Sequence, residues 1–282
     1  MASRHFCPED LYRQYLVTGQ AWGDADGDGI ADLYLTNQCG PSTLYRGLGN
    51  GQFQPSAVTH RVALDDRQAG GAAFADLDGD GRSDLLVLTY DGPVLFHNDA
   101  GRDFVDMTAT AGLDAIDGAH PISAALADYD RDGALDIFIA NYGCVRCLPG
   151  PRDEVRSQLF HNRGDGHFTD VSSLLDSSGP MGFSFVGGWG DFDNDGDPDL
   201  YLTNDVRGGH SLHGNALYRN DGPGCDGWCF TDVSAASGAG VRADAMGLAV
   251  ADFNGDGTLD IFVTNSGWAY TCLLYTSPSP RD

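Results

Sequence analysis

Residues 191–199 read DFDNDGDPD, so Asp191, Asp193, Asp195, Asp197 and Asp199 crowd into nine positions. Two unit charges about 4 Å apart repel by roughly 1 kcal/mol in water, and by several times that near a protein surface. The stretch is tolerable if it is solvated and mobile, or if a cation sits among the carboxylates. Repetition decides between the two. The pattern D-x-[DN]-x-D-G-x-x-D occurs five times, starting at Asp24, Asp76, Asp128, Asp191 and Asp252. The starts are 52, 52, 63 and 61 residues apart. A period in this range means stacked units or propeller blades. A disordered acidic tract would not keep register, so the cation reading is favoured.

Each motif has the same neighbours. Before it stands a run of small and apolar residues: GQAWG, GAAFA, SAALA, VGGWG, GLAVA. After it stands LYLTN, LLVLT, IFIAN, LYLTN or IFVTN. Short apolar runs bounded by turn residues read as buried strands. In the first four copies two more strands follow, for example VLFHN and RDFVDM. The pattern predicts an all-β fold, a partial β-propeller of four-stranded antiparallel blades, about four and a half in number. Blade limits fall near 15–60, 68–110, 120–175, 182–236 and 244–265. The small first strand suits a crowded central channel.

The motif is a hairpin loop with a chemical purpose. Position 6 is always Gly, which permits a sharp turn that brings oxygens at positions 1, 3 and 5 round one point. Those positions are Asp24, Asp26 and Asp28; Asp76, Asp78 and Asp80; Asp128, Asp130 and Asp132; Asp191, Asp193 and Asp195; and Asp252, Asn254 and Asp256. Position 7 can add a backbone carbonyl, from Ile30, Arg82, Ala134, Asp197 or Thr258. Hard oxygen ligands in this number select Ca²⁺ over Mg²⁺, which demands a stricter octahedron. An EF-hand is disfavoured, because its position-12 Glu is replaced by Leu35, Val87, Ile139, Leu202 and Val263. The last carboxylate stands at position 9 instead: Asp32, Asp84, Asp136, Asp199 and Asp260.

Composition agrees. There are 41 acidic residues against 16 basic ones, for a net charge of −25. Only Glu9 and Glu154 are not Asp, and every base is Arg. The loops hold 20 of the 41 carboxylates, and five Ca²⁺ would bring the charge to about −15. Such a surface repels phosphates, so no nucleic-acid partner is expected. No apolar run is long enough for a transmembrane segment. The opening MASRHFCPEDLYRQY has no signal-peptide h-region.

At the five loops, and over roughly residues 15–265, the chain resembles FG-GAP/VCBS repeats, the calcium-binding blades also found in integrin α-chain heads. LYRNDG, HNRGDGHFTDVS, MGFSF, GDFDNDGDPDLYLTND and LPGPRDEV resemble the bacterial relatives of cartilage acidic protein, whose C-terminal region is UnbV-like. The resemblance implies a secreted or cell-surface propeller with one Ca²⁺ per loop, up to five, and no catalytic activity. It carries ligands over to positions 1, 3, 5 and 9 of each loop. Asn254 keeps an oxygen but loses a charge, which weakens the fifth site. The Asp197 side chain is expected to be exposed.

The remaining motifs have plain readings. Arg163-Gly164-Asp165 is a hairpin turn, since other repeats read GLGNGQF and NDAGRDF there. His210 and His213 read as solvated. Ser184 lacks nucleophile-elbow spacing, and no catalytic constellation is present. CVRC (Cys144, Cys147) and CDGWC (Cys225, Cys229) are candidate local disulfides, with Cys7 and Cys39 a candidate third and Cys272 left over. The tail, residues 266–282, looks non-native or truncated, and the chain reads as a fragment of a longer gene. The expected function is calcium-structured binding or adhesion outside the cell, to a protein or carbohydrate ligand. The alternative is the non-catalytic propeller of a secreted polysaccharide-active enzyme. The long connections 142–157 and 205–215 carry Arg146, Arg152, Arg156 and Arg207. They either contact such a ligand or cover the neighbouring blade.

Overall fold

The computed structural model describes residues 18–100, 102–113, 119–143, 155–175, 180–206, 213–225, 227–265 and 273–275. The chain divides into two compact units, residues 1–124 with 144–151 and 161–170, and residues 125–143 with 152–160 and 171–282.

Every long element is a strand. The first sheet runs in the order β1 (Gln20–Gly23), β2 (Asp32–Leu35), β3 (Thr43–Gly47), β4 (Phe53–Pro55). The second is β5 (Ala69–Ala75), β6 (Asp84–Thr89), β7 (Gly92–Asp99), β8 (Asp103–Asp106). The third joins β9 (Ala119–Ala127), β10 (Asp136–Gly143), β12 (Gln158–Asn162) and β13 (Phe168–Asp170). The fourth joins β15 (Ser184–Gly190), β16 (Asp199–Asn204), β17 (Ala216–Gly224) and β18 (Gly227–Asp232). A small ladder pairs β11 (Val155–Arg156) with β14 (Met181–Gly182). The fold is therefore built of repeated four-stranded antiparallel blades, as an unclosed part of a propeller is.

Two features were not expected from the sequence. One-turn helices α1 (Thr108–Ala111) and α2 (Ser234–Ser237) follow β8 and β18, each closed by a glycine in the left-handed region. The fifth sheet has three strands, β19 (Ala245–Ala251), β20 (Asp260–Asn265) and β21 (Leu273–Tyr275), the last lying in the supposed tail. It pairs Ile261 with Tyr275, as β2 and β3 pair Leu33 with Tyr45.

Inner strands are buried on both faces, which explains apolar runs without alternation. All six residues of β6 and of β16 are buried. Small residues in the first strands let blades approach closely. A Cβ on Gly71 would meet the Ile122 carbonyl at 2.6 Å, and one on Gly187 the Phe138 ring at 2.5 Å. Trp189 of β15 stacks at 6.4 Å on Tyr129 and donates its Nε1–H to the Ala125 carbonyl. Trp22, at the same place in β1, is 51% exposed beside the exposed Phe53.

An asparagine ties neighbouring blades. Asn98 Nδ2 donates to the Ala25 carbonyl at 2.9 Å, Asn162 Nδ2 to Leu77 at 2.8 Å, and Asn220 Nδ2 to Tyr129 at 2.9 Å. Each acceptor is position 2 of the preceding repeat's loop. Asn220 is fully buried, and its Oδ1 also accepts from Trp228 Nε1. Asn220→Ala strands the Tyr129 carbonyl, which should cost about 2–3 kcal/mol. A urea-denaturation midpoint unchanged from wild type would refute this role.

Candidate metal centres

Four of the five motif loops are hairpins in one register, and the third joins neighbouring strands β9 and β10 in the same way. The residue before the motif pairs with position 9: Gly23 with Asp32, Ala75 with Asp84, Gly190 with Asp199 and Ala251 with Asp260. Position-6 glycines have φ of +81°, +84°, +94°, +96° and +88°, the left-handed turn the motif requires. Position 4 is left-handed too, even where it is Arg131 (φ 58°) or Asn194 (φ 60°).

Backbone amides fold each loop around its first carboxylate. Asp24 Oδ1 accepts from Gly27 and Asp28, and its Oδ2 from Gly29. Asp76 and Asp252 repeat this set, and Asp128 and Asp191 repeat its last two bonds. Position 5 accepts from the position-7 amide in every loop, at 2.8–2.9 Å, as Asp28 does from Ile30 and Asp256 from Thr258. These turns hold the short Asp side chains inward. Asp24, Asp26 and Asp32 offer oxygens within 4.8 Å of one another, as do Asp76, Asp78 and Asp84, and Asp128, Asp130 and Asp136. These clusters can chelate a divalent cation. Hard, short, anionic donors of this kind fit Ca²⁺.

Position 9 does more than face the cage. Asp32, Asp84, Asp136, Asp199 and Asp260 are at most 2% exposed. Each accepts the position-2 amide: Ala25, Leu77, Tyr129, Phe192 or Phe253. In three blades the other oxygen accepts the amide of Gly47, Asn98 or Asn220 in the third strand. Asp260 Oδ1 is buried with no such partner. This carboxylate therefore locks two strands to the loop.

Burial raises the pKa of Asp32, Asp84 and Asp193, and it raises Asp199 from 3.8 to about 6. A carboxylate whose folded pKa exceeds its unfolded value binds its proton more tightly when folded. Its contribution is full below the unfolded pKa and is lost as pH rises through the folded one. Asp28, held low by Arg46, and Asp256, held low by Thr258, lie at the surface and oppose this weakly. In chelator, the denaturation midpoint should therefore rise between about pH 6 and about pH 4. Adding Ca²⁺ should flatten the trend; a midpoint that falls with acid in chelator would contradict it.

The chain also lays cationic or basic groups over its own loops, which was missed from the sequence. Arg46 lies 2.7 Å from Asp26 and 2.6 Å from Asp28. Arg219 lies 3.9 Å from Asp193 and 2.7 Å from Asp221. His97 lies 2.8 Å from Asp78. The signal was the recurring Arg or His of LYRG, LFHN, LFHN and LYRN. The expectation for Asp197 is corrected. Its side chain is only 17% exposed, because Arg131 of the preceding loop pairs with it at 2.8 Å.

Cys225 and Cys229 form a disulfide. Cys39 is also disulfide-bonded; Cys7, Cys144, Cys147 and Cys272 all lie outside the described residues. The Arg163-Gly164-Asp165 stretch is a turn, closed by Arg163 N–H to the His167 carbonyl at 3.0 Å. His213 is exposed, while His210 and most of the long connections 142–157 and 205–215 lie outside the described residues. Among the described residues no helix is long and apolar enough to cross a membrane.

The FG-GAP-like repeat family model matches residues 24–87, 76–139, 150–202 and 191–263, three of the four spans beginning at the first aspartate of a loop. The chain belongs to the FG-GAP-like repeat family. Cartilage acidic protein 1 of Mus musculus is 27% identical over 86% of this chain and 37% of its own length. Integrin alpha-IIb of Mus musculus is 28% identical over 74% of this chain and 21% of its own length. The FG-GAP chain thus spans from about a fifth to little more than a third of the length of these curated relatives. Among solved structures, an Agrocybe aegerita lectin described by its recognition of non-reducing terminal N-acetylglucosamine aligns with a TM-score of 0.54. It is 18% identical, covering 88% of this chain and 61% of that one. That likeness bears on the fold alone.

Proposed function

We propose that this chain is the calcium-structured part of an extracellular binding or adhesion protein, without catalytic activity of its own. The observation that carries the reading is the convergence of carboxylates at positions 1, 3 and 9 within repeated, amide-braced loops. Ca²⁺ would be held by Asp24, Asp26, Asp28 and Asp32 in the first loop and by the equivalent residues in the other four. Carbonyls of Ile30, Arg82, Ala134, Asp197 and Thr258 would complete the shells. The ion's role is structural: it neutralises clustered carboxylates and fixes each hairpin. Relationship to a cartilage acidic protein and an integrin α-chain supports a place outside the cell, secreted or at its surface. The disulfide supports an oxidising compartment. The partner is a protein or carbohydrate, and the connections at 142–157 and 205–215 are its candidate contact.

Calorimetric titration of the chelated chain with Ca²⁺ tests the metal, and glycan and matrix-protein arrays probed with and without Ca²⁺ test the binding role. Uptake approaching five ions per chain is expected. Retention on at least one array ligand should depend on both connections. A chain that takes up no Ca²⁺ overturns the reading.

A further inference from the structure

The first and fifth blades each leave bare one side of a contact that the third and fourth complete. Trp189, Leu200, Leu202 and Phe230 of the fourth blade pack round Tyr129 of the third. In the first blade the same four places are Trp22, Leu33, Leu35 and Phe53. Strand pairing puts all four on one face of the sheet, with Trp22 edge-on to Phe53 at 5.7 Å. The opposite face is already used: Ala21 and Tyr34 are buried against Leu85 and Phe96 of the second blade. Leu200 and Leu202 are fully buried, yet Leu33 is half-buried and Trp22, Leu35 and Phe53 are exposed. The Trp189 N–H donates to the Ala125 carbonyl, whereas the Trp22 N–H meets no acceptor among the described residues.

The fifth blade carries the other half. Phe253 holds the loop place of Tyr129, and Ala249 the place of Ala125. Tyr129 is buried, whereas Phe253 is 51% exposed and Ala249 is exposed beside it. Six large apolar side chains are exposed among the described residues, and four of them, Trp22, Leu35, Phe53 and Phe253, lie on these two faces. Exposed apolar surface that is gathered rather than scattered marks an interaction site. One part of the internal contact is missing. Gly47 stands where Asn98, Asn162 and Asn220 grip the preceding blade. Blades that are permanent neighbours carry that grip; the first blade offers the apolar half without it, as suits a partner that can leave. We propose that copies of this chain associate head to tail, the face of the first blade of one molecule docking on the fifth blade of the next. Trp22 then stacks on Phe253 as Trp189 does on Tyr129. The contact is heterologous, so each added copy leaves a face for another. It does not depend on which ion, if any, fills the loops.

Sedimentation velocity of the full chain should show a mass that rises with concentration. Trp22→Ser removes one side of the contact. Phe253→Ala removes the other and installs the residue that the first loop carries at this place, Ala25. Each variant alone should associate at least ~30-fold more weakly than wild type, the loss that marks a central interface residue. Mixed in equal amounts, the two should recombine into a dimer that grows no further, because one supplies Phe253 and the other Trp22. That recombination also shows that both variants are folded. A wild type that stays monomeric at every concentration overturns the proposal, since the faces are then covered within the molecule or by another protein. Association that survives Phe253→Ala overturns it too, because the Trp22 face then meets its own twin. A mixture no larger than either variant alone does the same.

Discussion

Chelation of divalent cations is expected to lower the melting temperature of this chain by roughly 10 °C or more. A site that binds only the folded state at 100 times its dissociation constant contributes about 2.7 kcal/mol. In a domain of this size 1 kcal/mol moves the melting temperature by about 2–4 °C, so one lost site already accounts for much of the fall. If every loop holds an ion, as proposed, five sites are lost, and each loop left bare confronts three or four acidic groups across a few ångströms. The loss should be uneven. Arg46 already covers Asp26 and Asp28, so the first loop suffers less than the third, where no Arg stands at that place in the sequence. Melting curves with and without chelator that coincide would remove the structural role of the metal.

Asp199→Asn is expected to destabilise the chain by about 2–4 kcal/mol even with no metal present. Asp199 is 1% exposed, and its two oxygens accept the amides of Phe192 at 2.9 Å and Asn220 at 2.8 Å. Asparagine has the same size, but one of its two ends is an NH₂ donor. Whichever way it turns, one buried amide faces another N–H and loses its partner. The removed charge offsets part of this, because burial already disfavours it. Urea denaturation in chelator isolates the bracing role, and repetition in Ca²⁺ adds the metal's share. A variant as stable as wild type in chelator would reduce Asp199 to a ligand and nothing more.

The blades and their loops were legible because each signal is local. The glycine turn, the position-9 carboxylate opposite the last residue of the first strand, and the two-sided burial of LLVLT all follow from residues a few places apart. What was illegible crosses repeats. Asn98, Asn162 and Asn220 reach acceptors 73, 85 and 91 residues away, and Arg131 reaches Asp197 in the next loop. No periodicity within one blade marks such contacts. β21 was missed for another reason: LLY stands in a segment whose composition departs from the repeat, yet backbone pairing with β20 needs no particular side chains.

The asparagine tie and the ion cage share a strand of backbone. The carbonyl that each Asn grips belongs to position 2, and the amide of that same residue is held by the position-9 carboxylate. A cation seated in one loop therefore steadies the grip of the following blade. Occupancy along the array is then a nearest-neighbour problem, in which filling one place changes the odds at the next. If the loops take up ions as proposed, such a chain is expected to answer a small change in ion concentration more steeply than independent sites would, its seams tightening or slackening as a series.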